Sequence, residues 1–212
     1  MVEVKICGIT REEDLTKLIE LNVSWAGFVF YKKSVRNVNH NNNKRLFDIG
    51  KNKIGKVALF VDPEDSFLES VIEKVNPDLI QLHGTESPER CSYIKKRFGV
   101  PVMKALHLRD LNSFKIVSKF EKFVDRLLFD AKLTKEKLRG GITETLKWEL
   151  LNSYQGNKDW LLAGGLNHSN VIEALKISNA KKIDVSSGVE IAPGIKSELL
   201  LQKLIDKLNK VF

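Results

Sequence analysis

The sequence contains only two cysteines among its 212 residues, Cys7 and Cys91. It has no CxxC pair. Two thiols in a chain without an export signal are more often free than paired in a disulfide. The four histidines are scattered without the spacing typical of metal ligands: His40, His83, His107 and His168. We therefore expect no metal site.

Long hydrophobic runs are also missing. No apolar segment approaches the roughly 18 residues that would span a bilayer. The N-terminus alternates apolar and polar residues and lacks the basic and apolar regions of a signal peptide. The net charge is +8, but the lysines are dispersed and no dense basic run carries interleaved aromatics. We predict a cytoplasmic protein that binds neither membrane nor nucleic acid, although a small phosphorylated ligand would suit its charge.

Hydrophobic residues make up 42% of the chain and charged residues 29%, values that are typical of a soluble protein with a real core. Apolar or β-branched runs recur along the whole chain. They span residues 2–6, 25–30, 55–61, 78–82, 100–106, 126–130, 160–163 and 182–186. Segments with helical spacing separate them, so the pattern predicts a parallel sheet covered by helices.

The last of these segments has apolar residues at positions i, i+3, i+4 and i+7, which is helical spacing. They are Leu201, Leu204, Ile205 and Leu208. Three other segments are preceded by residues whose side chains suit a helix N-terminus, namely Thr10, Ser87 and Asn167.

Two arrangements fit this α/β alternation, an open doubly wound sheet and a closed barrel. Eight strands, eight helical segments and a length near the lower limit for a barrel favour closure. The stretch after the first strand, KICGITREED, is a poor match to a dinucleotide-binding loop. We predict a single-domain (β/α)8 TIM barrel over residues 1–212, with its active site at the carboxyl ends of the strands.

Two residues at predicted strand ends could carry acid–base chemistry. Cys7 closes the first strand, where a cysteine is more often inert core than a thiolate base. Asp130 ends the sixth strand, where a carboxylate is costly to bury unless it is paired, caps a helix or takes part in chemistry. The two strands lie on opposite arcs of a barrel, so Cys7 and Asp130 would face each other as a base and an acid.

Anion binding is predicted at two places. Arg36 follows the second strand and is either an ordinary surface arginine or a forked partner for a carboxylate or phosphate. Turns of small residues follow strands seven and eight, where barrels commonly bind phosphate. Their glycines and serines are Gly164, Gly165, Ser186, Ser187 and Gly188.

An ordered set of motifs resembles the phosphoribosylanthranilate isomerase family. The set comprises KICGIT, GFVFYKKSVR, DLIQLHGTE, VPVMKAL, LLFDAK, LLAGGLNHSNV and IDVSSGVEIAPGIKS, and it covers the chain from residue 3 to about 200. LAGGL alone is unspecific, whereas the ordered combination is highly specific.

The resemblance implies a cofactor-free Amadori rearrangement of N-(5-phosphoribosyl)anthranilate to 1-(2-carboxyphenylamino)-1-deoxyribulose 5-phosphate in tryptophan biosynthesis. It implies Cys7 as general base, Asp130 as general acid and Arg36 as the contact of the anthranilate carboxylate. The small-residue turns after strands seven and eight would hold the phosphate. Asp184 and His83 would line the sugar.

One segment departs from the family pattern. The family usually has a Gly-Gly-Thr-Gly run after strand six, followed by Phe-Asp-Trp, where this chain reads GGITETLKW. We expect residues 131–143 to form a loop over the substrate. The change puts loop closure and product release in doubt more than proton transfer.

Three alternatives are weighed against this assignment. A histidine-pathway isomerase would carry an aspartate where this chain has Cys7, and a pentose-phosphate epimerase would need metal ligands. A barrel kept only for binding would have no reason to retain Cys7, Asp130 and Arg36 together. The sequence leaves open whether the protein is a monomer or a homodimer.

Overall fold

The computed structural model describes residues 2–108, 110–131 and 148–211. Eight parallel strands close into a barrel in chain order, with β1 pairing with both β2 and β8. The strands are β1 (Glu3–Cys7), β2 (Trp25–Phe30), β3 (Gly55–Phe60), β4 (Leu79–Leu82), β5 (Val102–His107), β6 (Arg126–Asp130), β7 (Asp159–Ala163) and β8 (Lys182–Val185). The predicted (β/α)8 barrel is confirmed, and each strand lies within two residues of its predicted position.

Seven α-helices lie wholly within the described ranges, outside the barrel. They are α1 (Glu12–Glu20), α2 (Lys44–Ile49), α3 (Asp65–Val75), α4 (Pro88–Phe98), α5 (Ser113–Phe120), α6 (Val171–Ser178) and α7 (Glu198–Asn209). None of these described helices has the length and apolar character needed to cross a membrane. The loop predicted to cover the substrate falls outside the described residues, except for Ala131.

Two of the following predictions about helix positions are confirmed by the structure, and one is wrong. The four apolar residues predicted for the last helix are all buried in α7. Ser87 caps α4 as predicted, since its hydroxyl accepts from the Arg90 amide at 3.2 Å. The prediction for Thr10 is wrong: α1 begins two residues later, and the Thr10 hydroxyl donates to the Gly194 carbonyl at 2.6 Å.

Asn167 lies further from its helix than predicted. Its Oδ1 accepts from the amides of Ser169 and Asn170, at 2.8 and 3.3 Å, and so stabilises the turn that precedes α6. The cap position of α6 itself is Asn170.

Apolar side chains fill the barrel interior. Val57, Leu79, Met103, Leu128 and Leu161 form one buried cluster together with smaller residues. Side chains of parallel strands alternate between the interior and the helix layer. The residue two positions after each member of this cluster therefore also points inward, but lies closer to the carboxyl end of its strand. Side chains therefore fill the interior of the barrel, and we expect a site for chemistry only at the carboxyl ends of the strands.

A short antiparallel hairpin follows the barrel and was not predicted. Its strands are β9 (Glu190–Ala192) and β10 (Ile195–Lys196). Gly194 turns between them with a φ of +83°, a left-handed conformation that favours glycine. The hairpin brings Glu190 and Lys196 to the end of β1.

Candidate active site

A cavity of about 330 Å³ opens at the carboxyl ends of the strands. Nine of the ten residues predicted for the site line it: Cys7, Arg36, His83, Asp130, Gly164, Gly165, Asp184, Ser186 and Ser187. The tenth, Gly188, is not one of the lining residues. A larger cavity, of about 670 Å³, lies at the opposite end of the barrel among the strand beginnings. Barrel enzymes carry out chemistry at the carboxyl end, so the smaller cavity is the candidate active site.

The thiol of Cys7 lies above a buried ion pair. Lys5, two residues earlier on β1, is fully buried, and its Nζ lies 2.9 Å from Oδ1 of Asp184 on β8. A Cβ atom on Gly27 would come within 3.0 Å of both the Cys7 sulfur and the Lys5 nitrogen. The missing side chain at Gly27 leaves room for these two groups beside each other.

Charge and burial act in opposite directions on this thiol. Burial raises the pKa of Cys7, and the ammonium of Lys5, the next cause, opposes that increase. Burial lowers the pKa of Lys5, but Asp184 and Cys7 outweigh burial and the pKa of Lys5 lies above its ordinary value. Lys5 is therefore a fixed cation, and Cys7 is a protonated thiol at neutral pH in the unliganded protein.

The main chain of Cys7 is held by the last elements of the fold. Its carbonyl accepts from Lys196 Nζ at 2.6 Å and from the Ser186 hydroxyl at 3.0 Å. Lys196 also donates to Glu190 Oε1 at 2.7 Å. These contacts fix the end of β1 at the cavity.

Arg36 forms a forked ion pair inside the protein. Its Nε donates to Glu190 Oε1 at 2.8 Å and its Nη2 to Oε2 at 2.5 Å. A Cβ atom on Gly8 would lie 2.5 Å from Cδ of Arg36, so the glycine of the KICG motif lets this side chain pass. A guanidinium has five N–H donors, and Glu190 uses two of them. Among the described residues, none accepts a hydrogen bond from Nη1, so this edge could hold a second anion.

Burial and the two cationic partners of Glu190 shift the pKa of its carboxyl in opposite directions. Burial raises the pKa of this carboxyl, but hydrogen bonds from Arg36 and Lys196 outweigh burial, and the pKa lies below its ordinary value of 4.5. Glu190 is thus a carboxylate at neutral pH.

Asp130 ends β6 beside two imidazoles. Its Oδ2 lies 3.4 Å from His107 Nδ1, on the neighbouring strand β5. His83, which follows β4, lies within hydrogen-bond distance of Gln81, with 3.0 Å between Nδ1 and Gln81 Nε2. Burial lowers the pKa of His83, so its imidazole is neutral at neutral pH.

The two small-residue turns contact each other. Gly164 and Gly165 have φ values of +100° and +73°, a conformation that side-chain-bearing residues rarely adopt. A Cβ atom on Gly188 would lie 1.9 Å from the carbonyl oxygen of Leu166. Asn170 fixes the first turn, because its Nδ2 donates to the Gly165 carbonyl at 3.1 Å. Glycine at these positions permits the close approach of the turns after β7 and β8.

Sequence reasoning missed Lys5, Glu190 and Lys196. A signal existed for Lys5, since it shares a face of β1 with Cys7. Glu190 lay within a quoted motif but received no role. The strands that position Glu190 and Lys196 are three and two residues long, too short to show a periodicity.

A closed barrel with a thiol, a carboxyl, an arginine and two glycine turns in one rim cavity defines a (β/α)8-barrel enzyme. The comparisons make the class more specific. Residues 4–207 match the family model described as N-(5'-phosphoribosyl)anthranilate (PRA) isomerase.

Relatives and solved structures agree with this match. An N-(5'-phosphoribosyl)anthranilate isomerase of Paramagnetospirillum magneticum is 45% identical over 92% of this chain and 91% of its own. One from Sinorhizobium medicae is 38% identical over 98% and 97%. The crystal structure of the Thermotoga maritima phosphoribosyl anthranilate isomerase has a TM-score of 0.88 and 32% identity, with both chains fully covered.

Another solved phosphoribosyl anthranilate isomerase contains reduced 1-(o-carboxyphenylamino)-1-deoxyribulose 5-phosphate. It has a TM-score of 0.85 and 30% identity, again over the whole of both chains. The chain described here belongs to the N-(5'-phosphoribosyl)anthranilate isomerase family, whose members are isomerases of tryptophan biosynthesis. The histidine-pathway isomerase, the epimerase and the non-catalytic barrel are therefore set aside.

Proposed function

We propose that Cys7 is the general base and Asp130 the general acid of the Amadori rearrangement of N-(5-phosphoribosyl)anthranilate. The observation that carries this assignment is that both side chains line one cavity of about 330 Å³, together with the turns after β7 and β8. A bound analogue of this chemistry in a related structure supports the choice of substrate.

The proton transfers balance over one turnover. Asp130 donates a proton to the furanose ring oxygen, and the bond from that oxygen to C1′ breaks to leave a protonated Schiff base. The Cys7 thiolate then removes the C2′ proton, which gives an enolamine. The enolamine tautomerises to the ketone, and the proton taken by Cys7 replaces the one given by Asp130. Such proton transfers typically contribute about 10²- to 10⁴-fold each.

The surroundings of Cys7 suit a base that acts in a closed site. The cation of Lys5 favours the thiolate, while burial holds the resting group as a thiol. Lys5 is a positioning residue in this proposal, because it acts through Cys7 and is itself fully buried.

The anthranilate carboxylate would bind at the free edge of Arg36. Glu190 already holds the Nε edge, which orients the guanidinium plane. The remaining Nη1 and Nη2 hydrogens form a second fork that matches a carboxylate.

The phosphate would bind at the turns that contain Gly164, Gly165, Ser186 and Ser187. Glycine backbones allow amides to approach phosphate oxygens closely. Gly188 supports the site indirectly, since its contact with Leu166 holds the two turns together. Asp184 and His83 line the space between this end and Arg36, and we assign them to the sugar.

The decisive experiment follows the loss of anthranilate-adduct fluorescence with purified Cys7→Ser and Asp130→Asn variants. Both substitutions nearly preserve size, and each is expected to lower kcat by about 10²- to 10⁴-fold. Cys91→Ala, at the other cysteine, serves as the control and should keep kcat. Wild-type turnover in either the Cys7 or the Asp130 variant would contradict the assigned roles.

Cytoplasmic location and the choice between monomer and homodimer stay predictions of the sequence. Light scattering on the purified chain decides the second.

A further inference from the structure

Three potential metal ligands meet on one arc of the barrel rim. His83 follows β4, His107 ends β5 and Asp130 ends β6. One ring nitrogen of each histidine and one carboxylate oxygen lie within 4.8 Å of one another. The sequence gave no sign of this cluster, because 24 and 23 residues separate its members along the chain.

We propose that His83, His107 and Asp130 bind a transition-metal dication of the zinc class, and that the bound ion inhibits the enzyme. Two imidazoles and a carboxylate form an N₂O donor set that suits zinc and leaves a fourth position for water. The inhibition rests on the proposed function of Asp130, whereas the binding does not.

The distances allow coordination after small side-chain rotations. Ligand bonds of about 2.0–2.1 Å to a tetrahedral zinc ion place the ligand atoms roughly 3.3 Å apart. His107 Nδ1 and Asp130 Oδ2 already lie 3.4 Å apart. The His107 side chain is 63% exposed, so it can rotate to bring its nitrogen closer to His83 without repacking the core.

Gln81 supplies a second and independent observation. This residue is fully buried, and its Oε1 has no hydrogen-bond partner among the described residues. Its amide lies next to His83, with Nε2 3.0 Å from Nδ1. A half-turn of that amide gives the unpaired oxygen a donor, the Nδ1 hydrogen of His83. His83 Nε2 then keeps its lone pair for a metal, the arrangement common in zinc-binding histidines.

Coordination would stop the reaction at its first step. A carboxylate bound to a dication cannot carry the proton that the ring oxygen needs. The ion would also occupy the rim beside His83, which lines the cavity. Zinc inhibition should therefore be relieved by substrate and by a chelator.

The test uses zinc sulfate and the full chain. Calorimetry should show one zinc ion per chain for the wild type. His107→Gln should weaken binding at least tenfold, the effect expected for the loss of one of three ligands. This variant should also resist zinc inhibition, measured relative to its own zinc-free kcat and KM because His107 lies 3.4 Å from Asp130. His40→Gln, at a histidine outside the cavity, should match the wild type in zinc affinity.

Cys7→Ser distinguishes the cluster from a thiol site, because it should retain zinc binding. Loss of binding in Cys7→Ser with full binding in His107→Gln would overturn the proposal. Cluster-dependent binding without inhibition would overturn its inhibitory part. Failure of the proposed function appears separately, as full turnover in zinc-free Asp130→Asn.

Discussion

The guanidinium of Arg36 and the carboxylate of Glu190 form a two-bond fork, with donor–acceptor distances of 2.8 and 2.5 Å. This pair joins the loop after β2 to the hairpin after β8. It holds one edge of Arg36 and presents the other to the cavity.

Glu190→Gln should therefore weaken substrate binding without removing a group that touches the substrate. We expect KM to rise about tenfold with a much smaller change in kcat, since a charged hydrogen bond is worth about 1.5–3 kcal/mol. Arg36→Lys should raise KM more, because lysine cannot form two forks. Arg45→Ala, at an exposed arginine, is the control in the same steady-state assay. An unchanged KM in Arg36→Lys would contradict the carboxylate role.

Glu190 should also set part of the acid sensitivity of the fold. Its pKa is lower in the folded protein than its ordinary value of 4.5, so its stabilising contribution is complete above that pH and is lost as pH falls through the lowered folded value. Glu190→Gln should reduce the free energy of unfolding by about 3 kcal/mol at pH 7, because it leaves buried cations without their partner. Urea titrations from pH 7 to pH 3.5 should show this difference shrinking below pH 4.5. A difference that is constant over this range would contradict the assignment.

Lys5→Met should slow turnover by weakening the base. Without the adjacent ammonium the pKa of Cys7 rises further, and we expect kcat at pH 7 to fall about 10- to 100-fold, equivalent to roughly 1–2 pKa units. Iodoacetamide labelling in a Cys91→Ala background reports Cys7 alone, and it should slow in parallel. Lys5→Met combined with Asp184→Asn removes the unpaired buried carboxylate. Its labelling rate, and not its turnover, tests whether misfolding explains the loss, because Asp184 is itself assigned to the sugar. Normal labelling of Cys7 in folded Lys5→Met would exclude the electrostatic role.

The Cys7 thiol should react faster with iodoacetamide as the pH increases. Burial raises the pKa of Cys7 above its ordinary value of 9.0, and the thiolate is the basic form. Because the thiolate fraction grows about tenfold per pH unit below the pKa, labelling of Cys7 in a Cys91→Ala background should become faster from pH 6 to pH 9 with no plateau near neutrality. A labelling rate that is flat across this range would show that the Cys7 thiol is already ionised.

Gly188→Ala should separate the turns after β7 and β8, which we propose bind phosphate. The new methyl group would lie 1.9 Å from the Leu166 carbonyl, a backbone atom that cannot move aside cheaply. We expect at least tenfold weaker inhibition by inorganic phosphate, together with a lower melting temperature. Gly50→Ala is the control, since its nearest contact is a side-chain methyl at 3.3 Å. Unchanged inhibition by phosphate would remove the turns from the phosphate site.

Much of the fold could be predicted because β-strands of a buried barrel are apolar and evenly separated by helical segments. The rim positions of Cys7 and Asp130 followed from the topology, since the carboxyl ends of parallel strands meet at one edge. The helix cap at Thr10 failed because the hydroxyl pairs with Gly194, a residue 184 positions away.

Contacts between distant segments account for the other omissions. A lysine within a strand is usually assumed to be exposed, and only Asp184 on β8 explains why Lys5 is buried. A possible role for His107 became apparent only from its position beside His83 and Asp130, because no local sequence pattern links residues at the ends of three strands. These pairings depend on barrel closure, which a linear motif does not encode.

The hydrogen bond from Lys196 to the Cys7 carbonyl spans 189 positions in the chain. During synthesis the end of β1 leaves the ribosome well before Lys196, so this support can form only after the intervening residues have been translated. A nascent chain therefore carries its thiol without the framework that orients it. Truncation before the final hairpin would leave most of the barrel sequence intact and still remove this support of Cys7.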